Sequence, residues 1–150
     1  MKVLIQTVEN AADERVVIEC VRVTPDVEAI RAFAAVKGKE LTGMGESGML
    51  TRVPLTDVCY FEAVDEKCFA CTDSAVYEIR MRLYEAEEVY ADYDFVRCSK
   101  SVVLNLMKLD GLRPALAGRY TACMKNGENL VVSRKYAPAL IRLVMGEENG

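Results

Sequence analysis

Residues 58–79 read VCYFEAVDEKCFACTDSAVYEI, which is three apolar runs separated by short polar pairs. The runs VCYFEAV, KCFACT and AVYEI are rich in the β-branched and aromatic residues that favour strands. The pairs between them, Asp65-Glu66 and Asp73-Ser74, carry side chains that favour turns. This order predicts three consecutive antiparallel strands, and it indicates a mainly β fold of the α+β class.

A second pair of strands is predicted nearer the end of the chain. The runs RYTACMK and NLVVS flank Asn126-Gly127-Glu128. Asn-Gly between two alternating runs is a strong signal for a β-hairpin, because both residues tolerate the left-handed backbone that the tight turn requires. A hairpin with a well-fixed register is therefore expected at residues 119–133.

Two short helices are expected beside these strands. The stretch RLYEAEEVYADY places Leu83, Ala86 and Tyr90 at helical spacing with carboxylates between them, which predicts an amphipathic helix. Ser133 has the side chain of an N-cap and is predicted to begin a last helix. Pro138 falls near the start of that helix, so we expect its first turn to be irregular.

Residues 1–49 are expected to form a β-β-α extension ahead of a domain at residues 50–150. The runs KVLIQTV and RVVIECVRV, at residues 2–8 and 15–23, have the composition of strands. The next stretch, TPDVEAIRAFAAVKG, predicts a helix, since it opens with a Thr-Pro pair suited to the N-cap and first position and closes with glycine. Short strands around a glycine-rich loop are predicted to join this extension to the domain.

The composition argues against catalysis. The chain of 150 residues contains no histidine, which removes the usual general base, the usual partner of a Ser or Cys nucleophile and the commonest metal ligand. We therefore predict no enzyme activity, no cofactor, no metal site and no small-molecule substrate. No apolar stretch reaches the ~18 residues of a membrane span, and the N-terminus lacks the features of a signal peptide, so a cytoplasmic protein is expected.

The six cysteines are interpreted as reduced thiols, several of them buried in strands. The CFAC stretch at residues 68–71 has the spacing of a redox or zinc pair. It lies in a predicted strand, however, where side chains three residues apart point to opposite faces. A zinc knuckle also requires a second pair of ligands, which the sequence does not supply. A functional thiol pair is therefore not expected here.

Charge is distributed unevenly along the chain. Residues 57–94 carry eleven acidic and three basic side chains, whereas residues 97–135 carry eight basic and two acidic. A basic segment in a protein of net charge −4 is an electrostatic footprint for a polyanion, because each Lys or Arg placed at a phosphate releases condensed counterions. Charge counting alone leaves a second interpretation open, in which these side chains cover a solvated β-surface.

The basic segment contains FVRCSKSVVLN at residues 95–105. This stretch places Arg97 and Lys100 among two serines and a cysteine, without a carboxylate, and has apolar residues at both ends. The pattern predicts a strand, a cationic loop that carries hydroxyl groups, and a second strand.

The ordered set PLTDVCYFEAVDEK, FVRCSKSVVLNL, KNGENLVV and SRKYAPAL resembles the LytTR family of bacterial DNA-binding transcriptional regulators, over roughly residues 50–145. The resemblance implies a predominantly β fold of packed antiparallel sheets with short helices, which presents loops to successive major grooves of double-stranded DNA. It implies sequence-specific binding to paired DNA repeats, with two copies acting together as a homodimer. Some short members are restrained by a small membrane protein, so a membrane-protein regulator is a further expectation.

The resemblance also implies which side chains contact DNA. Base contacts in the family come from the turn after the first strand, from the basic loop, and from the arginine that opens the last helix. These positions match Lys67 or Cys68, then Ser99 and Lys100, then Arg134. Roles in positioning the backbone or holding the loop fall to Arg97, Ser101, Asn105, Ser133 and Lys135.

The chain departs from the family in two respects. Many members have His-Arg or His-Lys before the serine, whereas this chain has Ser99-Lys100, which leaves the base preference at that step open. Many members also carry a receiver domain, and residues 1–49 are too short to form one, so phosphorylation control by that route is not expected. The missing histidine and the acidic first two-thirds leave an alternative function: a LytTR-like protein-interaction or signal-responsive module with weak or no DNA binding.

Overall fold

Ten strands in two antiparallel sheets make up most of the computed structural model, which describes residues 1–146. The strands are β1 (Glu40–Met44), β2 (Leu50–Pro54), β3 (Tyr60–Val64), β4 (Lys67–Cys71), β5 (Val76–Ile79), β6 (Phe95–Ser99), β7 (Val102–Asn105), β8 (Leu109–Pro114), β9 (Tyr120–Met124) and β10 (Asn129–Val132). The helices are α1 (Pro25–Val36), α2 (Leu83–Val89) and α3 (Ala137–Val144). Over the same residues, no helix is both long enough and apolar enough to cross a membrane.

The predicted meander forms the middle of the larger sheet. Its seven strands have the order β2-β1-β5-β4-β3-β7-β6, and the smaller sheet has the order β10-β9-β8. The hairpin predicted around Asn126-Gly127 is confirmed as β9 and β10, and Gly127 has a φ of +91° that suits the turn. The cationic stretch folds as the predicted strand, loop and strand, with β6 paired to β7.

Two apolar clusters lie on either side of β6 and β7. The first includes residues of α2 and the larger sheet, and the buried Phe61 ring lies 5.3 Å from Tyr90 and 5.2 Å from Phe95, measured between ring centroids. The second joins β6 and β7 to the smaller sheet and α3, through residues such as Leu104 and Leu140. Because the hairpin of β6 and β7 is packed on both faces, its turn is held on a rigid base.

The prediction of strands at residues 2–8 and 15–23 is wrong. In the structure, residues 1–24 contain a short 3₁₀ turn at Ala11–Asp13 and no strand. The β propensity of these runs measures how well their side chains fit a neighbouring pleated surface, and residues 24–146 place no strand beside them. Their apolar side chains stay exposed: Leu4 is 91% and Ile5 93% exposed.

The helix of the N-terminal extension is confirmed as α1. The Thr24 hydroxyl oxygen accepts a hydrogen bond from the Val27 N–H at 3.3 Å, and Pro25 occupies the first helical position. The short strands predicted around the glycine-rich loop are also confirmed, as the hairpin of β1 and β2. This hairpin joins the larger sheet through β5 and spans residue 49, so the division of the chain at that residue stays a prediction.

The N-cap predicted at Ser133 is also wrong, because α3 begins at Ala137 and its N-cap is Tyr136. The Ser133 carbonyl oxygen accepts hydrogen bonds from the Tyr136 and Ala137 N–H groups, both at 3.0 Å, so a separate turn precedes the helix. Pro138 has no N–H to donate to the Arg134 carbonyl, which interrupts the helical hydrogen bonds at the expected start. The irregular first turn is therefore confirmed.

The turn between β3 and β4 uses two residues in left-handed conformation, Asp65 with a φ of 49° and Glu66 with a φ of 67°. A two-residue hairpin turn of this kind prefers glycine at the second position. We expect Glu66→Gly to raise the free energy of unfolding by roughly 0.5–1 kcal/mol, after the larger backbone entropy of unfolded glycine is subtracted. Urea denaturation measures this change, and Glu66→Ala, which loses the same charge but keeps a Cβ, should show no such gain.

Candidate nucleic-acid interface

Two turns of the larger sheet lie side by side at one end. The Ala63 N–H, at the end of β3, donates a hydrogen bond to the Ser101 carbonyl oxygen at 2.8 Å. The pairing of β3 with β7 therefore continues up to the turns and places Asp65-Glu66 next to Lys100-Ser101. The two segments that were predicted separately from the sequence share one surface.

A third segment, residues 133–135, lies beside the same turns. The Ser133 N–H donates to the Cys98 carbonyl oxygen at 2.9 Å, which connects the end of β10 to β6. The Cys98 thiol also contacts the Val131 carbonyl oxygen at 3.8 Å. These contacts join the edges of the two sheets and bring Arg134 and Lys135 near the turn that carries Lys100.

Arg97 holds the turn between β6 and β7. Its Nε and Nη2 atoms donate to Glu87 Oε1 at 3.1 and 3.0 Å, and its Nη1 atom donates to the Lys100 carbonyl oxygen at 2.7 Å. The Arg97 side chain is only 15% exposed. The guanidinium therefore connects α2 to the turn, and the exposed Lys100 side chain projects from a fixed backbone.

The serines of this turn are close to the backbone. The Ser99 hydroxyl oxygen accepts a hydrogen bond from the Ser101 N–H at 3.4 Å, across the turn. Both serines are half-buried, and Ser101 uses its carbonyl group to contact Ala63. Their hydroxyl groups lie at the same end of the sheet as Lys100 and are in reach of solvent.

Arg134 packs on the loop between β8 and β9. Gly118 in this loop has a φ of +74°, and a Cβ atom added there would lie 3.0 Å from Arg134 Cδ and 3.1 Å from Cγ. A residue with a Cβ here would be strained by its left-handed backbone and would require the Arg134 side chain to shift by a few tenths of an ångström. The stem of Arg134 thus lies along the loop, and an open depression beside it is lined by Ala117, Arg119, Ser133, Arg134 and Lys135.

The cations of this surface are free of acidic partners. Among residues 1–146, no carboxylate oxygen lies within 4.0 Å of the side-chain nitrogens of Lys100, Arg119, Arg134 or Lys135. Lys67 differs, since its Nζ atom lies 3.8 Å from Glu78 Oε1. Unpaired cations at one end of an acidic protein create a local positive potential that attracts anions.

Two residues of the predicted DNA-binding set lie in the interior: Cys68, one of two alternatives for a base contact, and Asn105, which was expected to position the backbone or hold the loop. Cys68 is 3% exposed and belongs to the first apolar cluster, so of the Lys67 and Cys68 pair only Lys67 reaches the surface. Asn105 is 2% exposed, donates to the Val58 carbonyl oxygen at 2.9 Å and accepts from the Met107 N–H at 3.0 Å. Asn105 therefore holds the chain at the base of β7, far along the strand from the turn.

The thiols near this surface are poorly reactive. Burial raises the pKa of the Cys98 thiol to about 12 and the pKa values of Cys68 and Cys71 to about 11. At neutral pH these groups are protonated, and the nucleophilic form of cysteine is the thiolate. The CFAC pair consists of two buried, unbridged cysteines in β4.

Sequence reasoning missed three residues of the surface. Nothing in the sequence distinguishes Arg119 from the other cations of the basic segment, and no motif singles out Gly118. Glu87 was grouped with the acidic face of its helix, although it binds Arg97. The sequence signal for Gly118 is weak, because a glycine in a loop usually reflects a turn and says nothing of a side chain packed on it.

Known proteins match the larger part of this chain. The family model described as the LytTr DNA-binding domain matches residues 48–145. The sensory transduction protein LytT of Bacillus subtilis (strain 168) is 29% identical over 118 residues, which are 79% of this chain and 48% of that protein. The chain thus spans about half the length of this curated relative. A LytTr DNA-binding domain from Bacillus cereus has a similar structure, with a TM-score of 0.64, 28% identity, and coverage of 73% of this chain and 99% of that one.

Proposed function

The chain belongs to the LytTR family of DNA-binding domains, and on this premise we propose that it is a sequence-specific transcriptional regulator that reads major grooves through turns. Family membership makes it a DNA-binding regulator with the packed antiparallel sheets of the LytTR fold. Beyond family membership, we propose that the turns contact DNA and that the residues named below make these contacts. We also propose that the target consists of paired DNA repeats. We also propose that it acts in the cytoplasm, because a regulator that binds chromosomal DNA has to reach the chromosome.

The observation that carries the proposal is the group of cations at the end of the two sheets that pair with no carboxylate in the described part of the chain. Lys100, Arg119, Arg134 and Lys135 come from three separate segments that backbone hydrogen bonds bring together. Such a group suits the phosphates of a duplex, because each contact releases counterions. Ser99 and Ser101 add hydroxyl groups, which donate to phosphate oxygens and carry little sequence information.

Within this group we assign base reading to Arg134 and Lys100. An arginine can donate two parallel hydrogen bonds to the O6 and N7 atoms of guanine, a contact worth ~1–3 kcal/mol of discrimination. The Arg134 stem is held by the Gly118 loop, so less side-chain freedom is lost on binding. Lys100 acts as a point charge that binds either guanine or phosphate. Lys67 and Lys135 are assigned to phosphates.

Fluorescence anisotropy tests the proposed function. The purified protein is titrated against a duplex from the region upstream of its own gene and against a scrambled duplex, over a series of salt concentrations. Four or five cations at phosphates give a slope of about −4 in log affinity against log salt concentration. Tight binding to the native duplex alone supports sequence-specific reading. Equal weak binding, or no binding, would favour the protein-interaction module instead.

For Glu87→Ala, the expected structural effect on DNA affinity is opposite in sign to the expected electrostatic effect. Removing an acidic side chain near DNA normally strengthens binding, because repulsion falls. We expect the opposite for Glu87→Ala, since it frees Arg97 from α2 and loosens the turn that carries Lys100. Hydrogen bonds to charged groups contribute ~1.5–3 kcal/mol and ~1.4 kcal/mol is tenfold, so a loss of at least roughly 10-fold in affinity for the native duplex is expected.

The matched control for Glu87 is Glu88→Ala on the same helix. Glu88 is exposed, and it loses the same charge without freeing Arg97. Its affinity for the native duplex should be unchanged or slightly higher, measured by the same anisotropy titration. Equal effects of the two substitutions would show that Glu87 does not position the turn. Circular dichroism confirms that both variants are folded.

A further inference from the structure

The loop between β8 and β9 presents an apolar tip between two arginines. It reads RPALAGR at residues 113–119, and every residue of this stretch is exposed. Leu116 at its centre is 87% exposed. Single exposed apolar residues are normal on a protein surface, but a consecutive run of them is expected only where it has a function. The tip is therefore a candidate contact surface.

Two backbone hydrogen bonds fix the shape of this tip. The Ala115 N–H donates to the Arg119 carbonyl oxygen at 2.9 Å, and the Arg119 N–H donates to the Leu116 carbonyl oxygen at 3.2 Å. Ala117 and Gly118 have φ values of 60° and 74°, which is the left-handed backbone of a tight hairpin turn. Leu116 therefore projects from an ordered backbone, and little freedom of the loop is lost when a ligand binds it.

The tip lies beside the side chain to which base reading is assigned. Gly118 packs against the stem of Arg134, and Arg119 and Lys135 line the depression next to it. Consecutive Cα atoms are ~3.8 Å apart, so the Leu116 Cα lies within about 8 Å of the Gly118 Cα. Bases along one strand of a duplex are ~3.4 Å apart, so Leu116 can reach a base within about three steps of the one that Arg134 reads.

The surroundings of Leu116 indicate the kind of group that it contacts. Among residues 1–146, no carboxylate oxygen lies within 4.0 Å of the side-chain nitrogens of Arg113 or Arg119, so both are available to phosphates. The apolar group that a duplex presents between its phosphates is the C5-methyl of thymine, which lies in the major groove. An arginine that reads the O6 and N7 atoms of guanine occupies that same groove.

We propose that Leu116 reads a thymine through its C5-methyl group, within about three base steps of the guanine that Arg134 reads. The inference rests on the proposed function. It adds an apolar determinant of specificity to a surface whose other contacts come from cations and hydroxyl groups. Because the contact removes the methyl group from water, it favours thymine over a base that lacks this group.

Uracil tests the contact, since it differs from thymine only in lacking the methyl group. Each thymine of the native duplex is replaced in turn by uracil, and the affinity of the full chain is measured by fluorescence anisotropy. One buried methyl group contributes roughly a factor of 4, so we expect one replacement to weaken wild-type binding by about that factor. Leu116→Ala should bind the unmodified native duplex roughly 4–10-fold more weakly and should not respond to the same replacement.

Leu50→Ala is the matched control. Leu50 is 68% exposed on β2, at the opposite edge of the larger sheet from β6, so the variant loses the same side chain away from the cations. It should keep the wild-type response to uracil. Neither leucine belongs to a buried apolar cluster, so both variants should keep the wild-type Tm. Leu116→Ala should also keep the slope of log affinity against log salt concentration, because leucine neutralises no phosphate.

Several results would overturn the inference. Wild-type affinity of Leu116→Ala for the native duplex would mean that the tip does not contact DNA and is free for a protein partner. Equal responses of the wild-type and Leu116→Ala proteins to every uracil replacement would mean that this side chain reads no thymine. A changed salt slope, or the same loss from Leu50→Ala, would assign the effect to something other than an apolar contact.

Failure of this inference is distinguishable from failure of the proposed function. Preference of the wild-type protein for the native over the scrambled duplex, without a uracil response that depends on Leu116, would overturn the inference alone. Absence of that preference would overturn sequence-specific reading and, with it, the assignment of a thymine to Leu116.

Discussion

Arg134→Ala is expected to lower the affinity for the native duplex roughly 5–150-fold, the equivalent of one good bidentate contact to guanine. The substitution removes a cation that has no acidic partner among residues 1–146, so no internal ion pair is lost with it. It also leaves the second apolar cluster intact, because the Arg134 side chain is exposed. The loss should therefore appear in binding and not in stability.

The measurement is anisotropy with the native and scrambled duplexes. Two further variants distinguish the loss of a positive charge from the loss of the bidentate contact. Arg134→Lys keeps the charge but loses the bidentate contact, so it should bind the scrambled duplex normally and lose preference for the native one. Arg142→Ala removes the same charge from the last turn of α3 and should have a small effect on both duplexes. Similar losses from Arg134→Ala and Arg142→Ala would contradict base reading by Arg134.

Asn105→Ala is expected to lower the free energy of unfolding by about 2–4 kcal/mol. The substitution leaves the Val58 carbonyl and the Met107 N–H without their partners, and each unsatisfied buried group costs ~1–3 kcal/mol. For a protein of this size each kcal/mol lowers Tm by roughly 2–4 °C. The variant should therefore melt roughly 5–15 °C below the wild-type protein.

Urea denaturation measures the effect of Asn105→Ala, which should move the midpoint and leave the slope unchanged. Asn129→Ala is a suitable control, because Asn129 is exposed at the start of β10. A loss below about 1 kcal/mol would mean that water replaces the two hydrogen bonds of Asn105. The affinity of the folded Asn105→Ala variant for DNA should stay close to that of the wild-type protein, since Asn105 does not reach the turns.

The strands that could be predicted from the sequence are those in which strand composition is accompanied by turn residues at both ends. The meander at residues 58–79 combines strand composition with polar turns, and its three strands pair with one another. The run at residues 15–23 has equally strong strand composition, but none of the strands in the described residues lies beside it. A strand depends on a partner, and partner availability is not a local property of a sequence. Pro138 predicted an irregular first turn of α3, but the sequence did not indicate that the helix would begin only at Ala137.

The candidate site was predictable to a similar extent. Lys100 and Arg134 could be named because the motifs that contain them resemble the LytTR family, and the resemblance implies DNA contacts at these positions. The burial of Cys68 and Asn105 follows from strand register, which fixes the face that each side chain occupies. The contacts of Glu87 with Arg97 and of Gly118 with Arg134 join segments far apart in the chain, so composition and spacing could not reveal them.

The backbone hydrogen bonds that hold the turns together affect how a regulator of this kind can acquire new target sites during evolution. The Ala63 to Ser101 and Ser133 to Cys98 hydrogen bonds involve main-chain atoms, so they survive replacement of any side chain in the turns. Under the proposed assignment of base reading to Lys100 and Arg134, selection can therefore exchange either residue separately while the backbone that orients both stays the same. After gene duplication, two descendants could come to recognise different promoters by single missense substitutions, each acting on one base step.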